Sequence, residues 1–261
     1  MFQFDPFSAA SLMFTLVVLT FFIVLRYFMI AGFFYWALWL RSDNLLHARR
    51  LAQKSPTAKL IRHEIRWSVI SSVIYAAAGV LIIEAWRSGY TRIYFDVADY
   101  GVVYLLLSVP LYLFLHDTYF YWTHRVMHHP KLFTIMHRVH HESRQPTPWA
   151  GFSFHPWEAL VGAAVVPLLV FLIPIHVGAL IFLLILMTIT GVTNHAGYEL
   201  LPDSWMRGFV GRHWISATHH NLHHQNYTMN YALYFRFWDR VMGTDEMEGL
   251  YGFLDEEQTP N

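Results

Sequence analysis

The run His124-Arg125-Val126-Met127-His128-His129 is followed by His137-Arg138-Val139-His140-His141. A third run, His219-His220-Asn221-Leu222-His223-His224, repeats the second pattern far downstream. On a helix, residues i, i+3 and i+4 share one face. HxxxH therefore aims two imidazoles the same way, and HxxHH aims three. Imidazoles stacked on one side pack poorly unless something binds them, and neutral imidazole is the commonest metal ligand. The pair His124 and His128, with the two HxxHH boxes, supplies eight nitrogens. That is too many for one ion and suits two, at about four each.

The rest of the composition narrows the class. The chain has 261 residues, 55% hydrophobic and only 14% charged, with a positive mean hydropathy. A soluble domain carries about 25% charge, so an integral membrane protein is expected. The formal net charge is zero, which argues against nucleic acid as a partner. There is no cysteine. Disulfides, thiolate zinc sites, iron–sulfur clusters and cysteine nucleophiles are excluded together. The N-terminus lacks the basic n-region and cleavage site of a signal peptide, so its apolar stretch is expected to stay.

Ala9 to Leu40 is almost wholly apolar and longer than the ~20 residues needed to span. Trp67 to Trp86 is a second span. Val102 to about residue 120 is a third, running without a breaker into the first histidine box. Ala159 to Pro174 and Gly178 to Val192 form an apolar hairpin with Pro174 at its turn. The stretch Arg41 to Arg66 carries seven Lys or Arg residues, which the positive-inside rule places in the cytoplasm. Counting spans from there brings all three histidine runs to one cytoplasmic face. The expected fold is all-α: one domain over residues 1–261, a polytopic membrane bundle. Residues 116–158 and 193–250 would form a histidine-rich helical cap holding a dimetal site.

Isolated histidines are a different matter. His47, His63 and His176 are expected to be unbound, because a lone interfacial His is more often not a ligand. His116 and His129 adjoin the boxes but point elsewhere on a helix. Asp117 lies two turns before His124 on the same face. It is expected either to accept the free ring N–H of a ligating histidine or to be a helix-end charge. An all-imidazole set suits Zn, Fe, Cu or Ni better than Mg or Ca. No HExxH is present, since Trp67 follows His63-Glu64 and Gln145 follows His141-Glu142 at the required position. A metalloprotease is therefore excluded.

The order of the boxes after apolar helices resembles the fatty acid hydroxylase/sterol desaturase superfamily of membrane non-haem di-iron oxygenases. The flanking residues resemble it too. Tyr121-Trp122-Thr123 leads into the first box, and Asn194-His195-Ala196-Gly197-Tyr198-Glu199 lies between the second and third. Phe237-Trp238-Asp239-Arg240 closes the segment. Pro146-Thr147-Pro148-Trp149-Ala150, followed by Phe154-His155-Pro156, is similar to the sterol C5-desaturase branch. Tyr231-Ala232 departs from that branch's Tyr-Gly.

The resemblance implies two Fe ions, replaceable by Zn on purification, with O2 as co-substrate. It implies hydroxylation or desaturation of an unactivated C–H position of a membrane lipid, a sterol or related isoprenoid. A fatty acyl, sphingolipid or carotenoid hydroxylase is the alternative. The implied ligands are His124, His128, His137, His140, His141, His195, His220, His223 and His224, with His219 in reserve. His155 is left between ligand, hydrogen-bond partner of a ligand, and substrate-mouth residue. The chain shows no dinucleotide, haem or flavin motif, so electrons must come from a separate donor, a ferredoxin or cytochrome b5 with its reductase. The lipid would enter laterally from the bilayer. The competing class is a membrane metal-binding or transport protein. Transport would want ionisable residues inside the spans, where only Arg26 stands clear, and a cation cannot bind a cation.

Overall fold

The structure is a computed structural model, and it describes residues 7–41 and 46–247. Helix α1 (Ala9–Tyr35) starts at Ser8, whose side chain accepts the Ser11 amide, and ends in a single π turn at Trp36–Leu40. Helix α2 (Ala58–Arg87) starts at Thr57, whose side chain accepts the Leu60 amide. It therefore begins well before Trp67, and Arg62 and Arg66 ride on its first turns rather than in a loop. Helix α3 covers Gly101–Met127. Four helical stretches are long and apolar enough to cross a membrane: α1 with its π turn, α2, α3 and α7 (Val177–Asn194). Helix α6 (Pro156–Leu172) is apolar but shorter. Their outer faces expose large apolar side chains, such as Phe14 and Leu106 at 68% each. Continuous apolar faces of this kind mark a lipid-facing surface. At 1.5 Å per residue, α3 is about 40 Å long, against a hydrocarbon layer of about 30 Å. The helix is thus longer than that layer by about 10 Å, and His124 sits on its last turn.

The α6–α7 hairpin reaches the far end of the bundle. Its tip forms a two-residue strand, β2 (Ile175–His176), parallel to β1 (Ile93–Tyr94) in the α2–α3 connection. The Arg92 amide donates to Val170 O (2.8 Å) and the Ile175 amide to Arg92 O (3.1 Å). Tyr104 Oη donates to Pro174 O at 2.9 Å. The interhelical core is packed by Tyr112, Val165, Leu169, Val170, Ile175 and Leu183. His176 accepts the Gly178 amide and so caps α7, while its Nε2 donates to Phe95 O. It is structural and remote from the other histidines.

At the opposite end, the C-termini of α1, α3 and α7 meet the N-terminus of α2. The short helices α4 (Pro130–Met136), α5 (Arg138–His141), α8 (Asp203–Arg207), α9 (Phe209–His213), α10 (Ala217–Asn226) and α11 (Phe237–Val241) complete that end. The segment Thr147–Phe152 locks it together. Glu64, fully buried on α2, accepts the Thr147 amide at 3.3 Å and the Thr147 hydroxyl. Tyr27 Oη and Ser68 Oγ both donate to Trp149 O, at 2.7 and 3.0 Å. Gly151 lies against Gly191 of α7, where an added Cβ would meet backbone at 3.1 Å. The Pro-Thr-Pro-Trp text is thus a clasp between α1, α2 and α7.

Candidate metal centre

Each box arrives on a different element. His124 sits on the last turn of α3 and His128 closes that helix. His137 links α4 to α5, and His140 and His141 lie on α5. His195 closes α7, and His220, His223 and His224 lie on α10. Their nitrogens converge in two groups: His124, His128, His137, His141 and His223, then His140, His195, His220 and His224. Within each group the ligand atoms lie within 4.8 Å of one another, close enough to hold an ion.

The division cuts through both HxxHH boxes. His137 and His141 serve the first group while His140 serves the second. On α10 the roles reverse: His220 and His224 serve the second group and His223 the first. An i, i+4 pair clamps one centre, and the i+3 imidazole, rotated off that line, reaches the other. The expectation that HxxHH aims three rings at one point is corrected accordingly, and the share is five and four rather than four each.

Ring orientation is set from behind. His124 Nδ1 donates to Tyr231 O (2.7 Å), His195 Nδ1 to Gly191 O (2.6 Å), His223 Nδ1 to Met229 O (2.7 Å) and His140 Nδ1 to Ser153 O (3.3 Å). A carbonyl only accepts, so these Nδ1 atoms carry the proton and each Nε2 is a bare lone pair. Yet His195 Nε2 faces His140 Nε2 at 3.2 Å. Two lone pairs at that distance repel with no proton between them. A cation between them removes the conflict, so the donor set fits a metal. Burial drives His137, His140, His141, His220, His223 and His224 well below the usual histidine range, and neighbouring imidazoles add to this. Burial takes His195 down to about 4, against the opposing hydrogen bond to Gly191. These rings are neutral at physiological pH, as metal ligands must be.

The remaining candidates lie elsewhere. His219 belongs to neither group. Its Nδ1 accepts the Ser216 amide at 3.1 Å and lies 3.0 Å from Ser216 Oγ, so the ring turns back to start α10. Asp117 does not reach a histidine ring. Its Oδ1 accepts the Leu233 and Tyr234 amides, at 2.9 and 2.7 Å. The loop at Leu233 and Tyr234 takes up the carboxylate instead. His155 caps α6, accepting the Trp157 amide at 3.4 Å, and its ring packs on Trp67. His129 caps α4 and His116 faces Tyr234.

Sequence reasoning missed the carboxylates that hold this frame. Asp239 accepts the Tyr231 and Ala232 amides, fixing the segment that backs His124. Burial pushes Asp239 up to about 6, while those amides and the Thr244 hydroxyl pull the other way. Glu199 accepts the Thr218 amide and hydroxyl, at 3.0 and 2.6 Å, at the start of α10. Glu158 lies 2.7 Å from His137 Nδ1. The available signal was position: Glu158 falls in the first turn of a helix opened by His155-Pro156. Tyr227 was missed too. It closes α10 at φ 61, a place that favours glycine, with its ring 4.6 Å from His141.

Gly197, between His195 and Glu199, has φ +73, and an added Cβ would lie 2.6 Å from the Trp39 ring and 3.2 Å from Pro146 O. Gly243 has φ +65 but open space. Gly197→Ala is expected to cost more than the ~1–3 kcal/mol of backbone strain alone. Gly243→Ala is expected to cost only that strain. Thermal melts of the detergent-solubilised variants compare the two, and equal melting temperatures would contradict the close packing at Gly197.

An all-α bundle with several candidate membrane spans, gathering nine buried or half-buried imidazoles at one end, defines a polyhistidine membrane protein able to hold metal ions. Residues 109–244 match the family model described as fatty acid hydroxylase. The chain belongs to the fatty acid hydroxylase family. It is 33% identical over 156 residues to a Delta(7)-sterol 5(6)-desaturase of Gibberella zeae, covering 60% of this chain and 47% of that protein. It is 30% identical over 186 residues to the lathosterol oxidase of Rattus norvegicus, covering 70% and 60% respectively. With the lathosterol oxidase of Homo sapiens the identity is 29%, covering 70% and 60%. The chain spans about half to three-fifths of the length of these relatives. No solved structure matches.

Proposed function

We propose that this chain is an O2-dependent membrane oxidoreductase acting on an unactivated C–H position of a bilayer lipid, a sterol or related isoprenoid. The observation that supports it most is the paired imidazole set, five and four, in a chain similar to sterol desaturases. Two Fe ions are the proposed occupants, held by His124, His128, His137, His141 and His223 and by His140, His195, His220 and His224. When bound, such ions supply the electron transfer to O2 that side chains alone lack.

The chain's own residues do the rest. Backbone carbonyls of Tyr231, Met229, Gly191 and Ser153 hold the rings in their metal-binding tautomer. Burial keeps the rings neutral and water out. In hydroxylation, R–H, O2, two electrons and two protons give R–OH and one water. In desaturation, a CH–CH unit with the same inputs gives C=C and two waters. The electrons are proposed to come from a separate ferredoxin, or cytochrome b5 with its reductase. The seven basic residues between Arg41 and Arg66 support a cytoplasmic placement of the site end. The family description favours a second reading, hydroxylation of a fatty acyl chain.

Lipid profiling of cells with and without the active chain tests this. A sterol or isoprenoid that gains one double bond or one hydroxyl is the expected result. A change confined to acyl chains would select the second reading. Unchanged lipids in cells holding the metal-loaded chain and a working electron donor would overturn both.

A further inference from the structure

We propose that Glu158 is the positioning residue of the five-histidine group, holding His137 by a carboxylate and making this group the tighter of the two metal sites. The inference rests on the metal-binding reading of the histidines, though not on the substrate.

The start of α6 builds the contact. His155 caps the helix, Pro156 occupies the first helical position, and Glu158 falls in the first turn. Proline suits that position because its missing N–H has no partner to lose. A carboxylate there is favoured by the positive end of the helix dipole. In an ordinary capping box such a Glu turns back to its own helix start. Here it reaches across to His137, with Oε1 2.7 Å from Nδ1.

Two further facts give the contact its meaning. Glu158 is 6% exposed, its Oε2 is buried with no hydrogen-bond partner among the described residues, and its Oε1 lies against the neutral His137 ring. A buried carboxylate needs compensating positive charge, and an ion on His137 Nε2 would supply it through the ring. Moreover, the supports described for His124, His140, His195 and His223 are neutral backbone carbonyls. The Nδ1 atoms of His141, His220 and His224 have no hydrogen-bond partner among the described residues, and His137 Nδ1 touches Glu158 without hydrogen-bond alignment. The two groups thus differ behind the ligands: the first has a carboxyl group against one of its rings, and no such contact is seen for the second among the described residues. With an ion on Nε2, a small turn of the His137 ring would bring its N–H onto the ionised Glu158, and a charged acceptor binds a ring N–H more strongly than a carbonyl does and raises the basicity of the ligating nitrogen.

The test uses the full chain in detergent, stripped of metal and titrated with Zn(II) or Co(II) against a chromophoric chelator. Wild type is expected to show two sites, the tighter one weakened about 10–100-fold by Glu158→Ala. Glu158→Gln, which keeps the shape and an acceptor oxygen, is expected to fall between the two. The Co(II) absorption of the affected site should shift in both variants. Placed on His140→Ala, which cripples the four-histidine group, Glu158→Ala should weaken the remaining site. Placed on His223→Ala, it should leave the four-histidine group's affinity unchanged. Equal weakening of both sites, or unchanged affinities and spectra, would overturn the proposal while leaving metal binding intact. A wild-type chain that takes up neither metal would overturn the metal reading, and this inference with it.

Discussion

His223→Ala and His140→Ala are each expected to drop lipid oxidation below about 1% of wild type. That exceeds the ~10–100-fold that losing a ligand's hydrogen-bond partner typically costs, because a ligand itself is gone. The two variants should differ in what they lose. His223 belongs to the five-histidine group and His140 to the four-histidine group, so each should empty a different site first. Elemental analysis after metal-replete purification should read about one ion per chain in either variant against two in wild type. His176→Ala is the control: it removes a cap at the far end of the bundle, costs about 1 kcal/mol of stability, and should keep both ions. Full activity and two ions in His223→Ala would overturn the ligand assignment.

Asp239→Ala is expected to damage the centre without touching it. The side chain is fully buried and accepts the Tyr231 amide at 2.9 Å, the Ala232 amide at 3.0 Å and the Thr244 hydroxyl at 2.8 Å. Each buried donor left unsatisfied costs about 1–3 kcal/mol. Together they are a large part of a typical stability of about 5–15 kcal/mol. The same backbone segment offers Tyr231 O to His124 Nδ1, so loosening it frees that ring. The variant should melt well below wild type and lose metal from the five-histidine group first. The four-histidine group takes its backing from Gly191 and Ser153 and should hold longer. An unchanged melt with both ions retained would show that the Asp239 clamp is not what fixes His124.

The histidine boxes are legible in the sequence because their information is local. Helical spacing alone pairs His124 with His128 and His220 with His224, and apolar runs alone mark the candidate spans. His195 stands alone and is reached only through the family resemblance of Asn194 to Glu199. The split of each HxxHH box is hidden, since it depends on how α5 and α10 face each other across the centre. Asp117 misleads for a related reason: a helical wheel says which way a residue points, but not what already fills the space. Glu158 is hidden by composition, one acid in an otherwise apolar helix. Glu64 looks like part of a basic loop, because the start of α2 depends on a single threonine cap that hydropathy does not see.

The reciprocal use of the two HxxHH boxes has a consequence for how such a centre can be altered. Neither histidine group has a set of helices to itself: α5 and α10 each carry members of both. One inserted residue in either helix turns every later side chain on it by about 100°, which would disturb both groups together. No single helix therefore carries one complete group that could be excised, transplanted or duplicated by itself, so a backbone change in α5 or α10 reaches both groups where a single side-chain substitution reaches one.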